Sequence, residues 1–182
     1  MTTMATSRCD YVRKMAAYNT WMNDKVYATA ARLPEHEIVA DRKAFFGSIL
    51  ATLNHIAVAD TIWLQRFAAH PAGYAMLDVV LELPVRSNLA EQPYGDLATL
   101  GEHRRFLDGV IEQWAGAVAD ADLDHVLTYA NTKGVVSSRP FFFLLMHFFN
   151  HQTHHRGQVT AMLTQAGVDV GPTDLAMIIE EV

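Results

Sequence analysis

The sequence predicts an all-α protein: a four-helix bundle with one long crossover and a small irregular, hairpin-like loop. Three observations carry the prediction. Four long segments place apolar residues at steps of three and four, the period of an amphipathic helix. The breaks between them collect proline, glycine and polar residues, which end helices and open turns. One break is far longer than a tight turn needs, the connectivity of a bundle with a crossover. The 182 residues fit a single domain, 1–182, and a chain of this size hides about 70% of its unfolded surface.

In the first segment Tyr11, Met15, Tyr18, Met22 and Val26 share a face, and the pattern ends near Leu33-Pro34. The second is read from Phe45 to Phe67, with Phe46, Ile49, Leu50, Leu53, Ala57, Leu64 and Phe67 on one broad stripe, and stops before His70-Pro71. The third runs from about Leu97 to Val118, with Leu100, Arg104, Leu107, Val110, Ile111 and Trp114 on one side. The fourth spans Pro140 to Gln165, with proline acceptable in the first turn and Gly167 just past the end. Residues 71–96 hold Pro71, Gly73, Pro84, Pro93 and Gly95 and are read as an irregular crossover. Within 120–139, Val126 to Tyr129, a turn at Asn131 to Gly134, and Val135-Val136 form a small hairpin or a pair of extended arms. Asp174 to Ile179 adds a final helical turn or two.

Composition narrows the function. The chain is 51% hydrophobic and 19% charged, values of a globular protein and not of a disordered one. Fourteen Lys+Arg against 20 Asp+Glu give a net charge of −6, which argues against a nucleic-acid binder and its concentrated basic face. No apolar run approaches the roughly 18 residues of a membrane span, and Met1 to Arg8 lacks the apolar middle of a signal peptide. A single cysteine, Cys9, excludes an intrachain disulfide and points to a reducing cytoplasm. Between Arg8 and Asp10 near a terminus, it reads as an inert surface thiol and not as a nucleophile.

Nine histidines stand in the chain, four of them (His147, His151, His154 and His155) in the run HFFNHQTHHRGQ. His151 and His155 are four apart, so on a helix their rings share a face and one ion. At about 100° per residue both lie within roughly 80° of the stripe of Phe141, Leu144, Leu145, Phe148, Val159 and Leu163, toward the interior. His147 and His154 form a stripe further round, at an edge or a subunit contact. Such a pair is either two metal ligands or two hydrogen-bonded interior histidines. His55 in the second helix is a candidate third ligand, but it lies with Thr52, Ala59 and Ile62, off the centre of the apolar stripe. Asp60 lies nearer that centre and, being costly to bury unpaired, is a ligand, a partner for a histidine N–H, or an arginine counter-ion.

YNTWMNDKV, LNHIAVADTIWLQRF, YANTKG, NHQTHHRGQ and LTQAGVDVGPTDL follow one another along most of the chain. In this order they resemble the DinB-like family of four-helix metalloproteins. The resemblance implies a metal triad of one histidine from the second helix and two, four apart, from the last: His55, His151 and His155. It further implies one divalent ion per chain, nickel or zinc, a homodimer, and relatives that use a small-molecule thiol as cosubstrate. Three neutral imidazoles and an open position suit catalysis more than a closed structural site. The site would serve thiol-dependent transfer to a small electrophile, with metal-dependent hydrolysis or a non-catalytic metal-binding stress-response role as alternatives.

Around such a site, His147, His154 and Asp60 are the candidates for catalytic proton transfer. Arg156 is read as an ion pair locking the fourth helix, or as an anion contact at the site mouth. Gly157 is read as a point of close backbone approach and Gln158 as a hydrogen-bond partner near the ligands. Trp21 and Trp63 read as core or interface. The run Phe141-Phe142-Phe143 with Phe148-Phe149 is apolar nearly all round, and a partner chain covering its outer face is expected.

Overall fold

In the computed structural model, residues 6–181 are described; the first five residues of the polar stretch Met1 to Arg8 lie outside that range. Helix α1 (Arg8–Ala30) begins where Ser7 and Asp10 cap each other. The Ser7 Oγ accepts from the Asp10 N–H at 3.1 Å, and the Asp10 carboxylate accepts from the Ser7 N–H at 2.9 Å. A short α2 (Glu35–Val39), absent from the sequence reading, buries Ile38. Helix α3 (Ile49–Phe67) starts at the Ser48 cap and α5 (Leu97–Ala117) at the Asp96 cap. Helix α6 (Phe141–Gln165) ends at Gly167, whose φ of 82° admits the left-handed turn that closes it.

Each long helix has two long neighbours: α1 packs on α5 and α6, and α3 packs on the same two. α3 and α6 run antiparallel, since Phe67 meets Phe141 at one end while His55 meets His155 at the other. The far end is filled by aromatics, with Phe67 stacked on Trp114 at 5.1 Å and edge-on to Phe148 at 5.6 Å. The fold is therefore the all-α four-helix bundle the periodicity predicts. The late loop is a regular hairpin, β1 (Val126–Ala130) paired antiparallel with β2 (Val136–Pro140). Among the described residues no helix is long and apolar enough to cross a membrane.

Three features differ from expectation. The second helix starts at Ile49, not Phe45. Lys43 at φ 59° and Gly47 at φ 82° close a tight loop, held by the Arg42 N–H on the Gly47 carbonyl at 2.7 Å. That loop turns Phe46 out of the helix line and toward the bundle. The 71–96 crossover is less irregular than expected, because a turn at Ala75–Leu77 leads into α4 (Asp78–Leu81) and buries Leu77 and Val80. Cys9 is no surface thiol: it is buried in the first turn of α1, and burial pushes its thiol pKa up.

Candidate metal centre

The N-terminal half of α3 and the middle of α6 carry His55, His151 and His155 into one cluster, with one ring nitrogen from each within 4.8 Å of the others. His55 Nε2 lies 3.1 Å from His151 Nε2 and 3.2 Å from His155 Nε2. Outer partners set the tautomers. The Leu89 carbonyl can only accept, so His55 Nδ1 donates to it at 2.8 Å. His155 Nδ1 donates to Gln158 Oε1 at 2.9 Å, while the Gln158 amide N–H donates to His154 Nε2 at 3.1 Å.

Both rings are then left with a bare Nε2 lone pair facing the other. Two lone pairs in contact repel unless a cation lies between them, so the donor set fits a metal ion. An ion holding nitrogens tetrahedrally at about 2.0–2.1 Å sets them about 3.3 Å apart, close to the spacing seen. Burial lowers the pKa of all three rings, and burial followed by the neighbouring imidazoles pushes His151 down to about 3. At neutral pH they are unprotonated donors.

The cluster opens into a cavity of about 450 Å³ walled by Phe45, Phe46, Asn88, Leu89 and Ala90. Phe46 stacks on the His55 ring at 4.0 Å and meets His155 edge-on at 5.6 Å. Phe45 stands 86% exposed at the mouth. Asn54 holds the crossover in place by donating to the Tyr94 carbonyl at 3.0 Å and accepting the Tyr94 N–H at 3.1 Å.

Of the three catalytic candidates the two histidines adjoin the triad, the His147 ring 6.0 Å from that of His151 and the His154 ring 4.8 Å from that of His155. Asp60 is fully buried and paired with Arg104 at 2.5 Å, so of the three roles left open it takes that of the arginine counter-ion. His147 is exposed and packs on Trp63 at 5.2 Å. His154 is also exposed, with Nε2 occupied by Gln158. Arg156 is neither an ion-pair lock nor a group at the site mouth. It is 2% exposed, hydrogen-bonds the Asn19 carboxamide oxygen and lies over the Tyr18 ring. Gly157 gives no close approach, since a Cβ there would meet nothing within 4 Å.

Asp60 and Arg156 belong to a polar network that the sequence reading missed. Asn19 and Asn23 each donate to Asp108 at 2.9 Å, and Arg104 lies 3.0 Å from the same carboxylate. Burial opposes the charge on Arg104, but Asp108 and Asp60 hold its pKa above the ordinary value. One chain of contacts thus joins α6 (Arg156), α1 (Asn19, Asn23), α5 (Asp108, Arg104) and α3 (Asp60). The signal was the i, i+4 spacing of Asn19 with Asn23 and of Arg104 with Asp108.

A four-helix bundle with a three-histidine cluster between two antiparallel helices defines the class of protein. Residues 1–181 match the DinB family model, and the chain belongs to the DinB family. It is 27% identical over 169 residues to Protein DinB of Bacillus subtilis (strain 168), an alignment covering 92% of this chain and 93% of that one. The crystal structure of a DinB-like protein from Bacillus cereus ATCC 10987 shares the fold, with a TM-score of 0.57, 21% identity, and coverage of 84% of this chain and 91% of that chain.

Proposed function

We propose that His55, His151 and His155 hold one divalent ion, nickel or zinc, and that the chain is a metal-dependent enzyme of thiol-dependent transfer to a small electrophile. The observation that carries the reading is the pair of bare Nε2 lone pairs, each fixed by a hydrogen bond on the far side of its ring. Bound there, the ion would bring the pKa of a small thiol toward neutrality. Leu89 and Gln158 orient the ligand rings, and Phe46 covers one side of them.

The cavity wall favours thiol transfer over hydrolysis. The ion would activate water as it would a thiol, but ester or amide hydrolysis also calls for a group that passes a proton to the leaving oxygen or nitrogen, and among the described residues lining this cavity there is no carboxylate. Transfer of a bound thiolate to an electrophile with a weakly basic leaving group needs no such group. Cys9 sits in the first turn of α1, away from the cluster on α3 and α6, so the reacting sulfur belongs to a low-molecular-weight cosubstrate. The single cysteine fits a reducing cytoplasm, and the functional unit is a homodimer.

Cobalt substitution tests the reading. Added small thiols are expected to give a sulfur-to-metal charge-transfer band in the near ultraviolet, and turnover of an electrophilic acceptor should need that thiol, survive removal of Cys9 and vanish in His151→Ala. A spectrum indifferent to thiols, with ester or amide cleavage by water alone, moves the assignment to hydrolysis. Metal bound without either chemistry leaves the non-catalytic role.

A further inference from the structure

Near the C-terminal end of α3 stands an arginine whose charge the chain does not balance. The Arg66 guanidinium rests on two aromatic rings, 4.7 Å from the Trp63 centroid and 5.0 Å from that of Tyr129 on β1. Those rings meet each other at 5.2 Å. Stacking of this kind fixes the group without using its N–H donors. Among the described residues the donors meet no acceptor and no carboxylate, and none of them is sealed from the surface. Burial lowers the Arg66 pKa, with only the Tyr129 phenol opposing it. Arg104, by contrast, is buried but held up by Asp108 and Asp60. An unpaired charge is costly to desolvate, so a counter-ion for Arg66 is expected from outside the chain.

Two more donors gather beside it. His147 packs on the Trp63 ring at 5.2 Å. Arg139 stands opposite Leu127 in the hairpin ladder, on the face that also carries Tyr129, because cross-strand partners and alternate residues share a face. Both are exposed, and among the described residues Arg139 pairs with no carboxylate either. The charges of the two arginines reach His147, whose pKa is held down first by burial and then by Arg139 and Arg66. In a chain of net charge −6 this is a local excess of positive charge, with N–H donors of the kind that grip an oxyanion.

Position selects further. One turn of α6, about 5.4 Å, separates His147 from His151, and their ring centroids are 6.0 Å apart. A molecule held at the three-histidine cluster by one end gains affinity when its other end is anchored nearby, which a free inorganic anion does not. We propose that Arg66, Arg139 and His147 form an anion subsite that takes the oxyanion, a carboxylate or phosphate group, of a small molecule whose other end lies at the three-histidine centre. The bridging rests on the metal reading given above, and the subsite itself does not.

Two measurements test it. In untagged protein at low salt, hexanoate and inorganic phosphate should each move the Nε–H resonance of Arg66, identified by its absence in Arg66→Met, and hexanol should not. In the cobalt-substituted protein the sulfur-to-metal band should titrate about tenfold more tightly with 6-mercaptohexanoate than with 6-mercaptohexanol, the worth of a hydrogen bond to a charged group. Arg66→Met and Arg139→Gln should each bring the two affinities together. Arg139 is exposed, so Arg139→Gln carries the test if Arg66→Met melts early. Equal affinities for acid and alcohol in the wild type overturn the proposal, as does a preference that survives both variants. A phosphate response without a gain for the tethered acid marks a free-anion site and also overturns it. Loss of a two-chain mass in Arg139→Gln, with hexanoate silent, would give the arginines to a partner's carboxylate and overturn it too. A cobalt protein without a thiol band contradicts the metal reading instead, and the hexanoate response, which needs no metal, then decides the subsite.

Discussion

A histidine becomes a metal ligand through what holds its far nitrogen. His55 and His155 each have Nδ1 engaged, by a backbone carbonyl and by a side-chain amide respectively, so each presents Nε2 inward. Removing such an outer partner typically costs 10–100-fold in metal affinity. Gln158→Leu should therefore weaken metal binding by roughly that factor in a chelator competition titration. His154→Ala should stay within a few-fold of wild type, because His154 only receives the other end of the Gln158 amide. Equal losses in the two variants would mean that His154, not Gln158, sets the ring. At this scale the sequence was legible in part. The four-residue spacing paired His151 with His155, and the family resemblance selected His55. The Leu89 carbonyl could not be foreseen, because any residue at that position offers one.

Between elements, the information that periodicity carries depends on exposure. Helix α6 leaves Phe143, His147 and His154 exposed, so its stripe pointed to the interior face. Every residue of α3 from Ile49 to Ile62 is buried, under α5, α6, α2 and the crossover. On a helix covered all round no face is distinguished, which is why the wheel could not choose between His55 and Asp60. Apolar character also misplaced the start of α3. Phe45 and Phe46 extended the stripe, although Gly47-Ser48 carried the turn and cap signals that open the helix at Ile49. Asp108, through its asparagine donors, ties α5 to α1, and Arg104, through Asp60, ties α5 to α3. Asp108→Ala strands the Arg104 guanidinium with one carboxylate and frees two buried carboxamides. We expect a loss of about 3–5 kcal/mol in urea unfolding. A loss below about 1 kcal/mol, the scale of an exposed pair, would show that the network contributes little.

On the scale of the whole molecule, the aromatic run of α6 is divided between two uses. Phe141, Phe148 and Phe149 are buried inside the chain, and Phe142 packs on Tyr11. Phe143 remains 63% exposed and Met146 40% exposed, and Val126 and Val136 on the hairpin are exposed too. Within the run, the outer face that a partner chain is expected to cover is thus Phe143 and Met146. For the homodimer proposed above, sedimentation should give twice the 20.3 kDa chain mass, and Phe143→Glu should shift it toward one chain. A single-chain mass across micromolar concentrations would contradict the dimer and leave the metal centre untouched, since all three histidines come from one chain.

The central claim is that three imidazoles from α3 and α6 form one metal site. Its most direct test is the metal content of untagged protein after reconstitution with zinc or nickel and removal of loose ions, compared with the same measurement on His151→Ala, His155→Ala and His55→Ala. The account predicts about one ion per chain in the wild type and a large, comparable loss in each variant, with the helical far-ultraviolet spectrum retained. An empty wild-type protein, or full occupancy after His151→Ala, would contradict it.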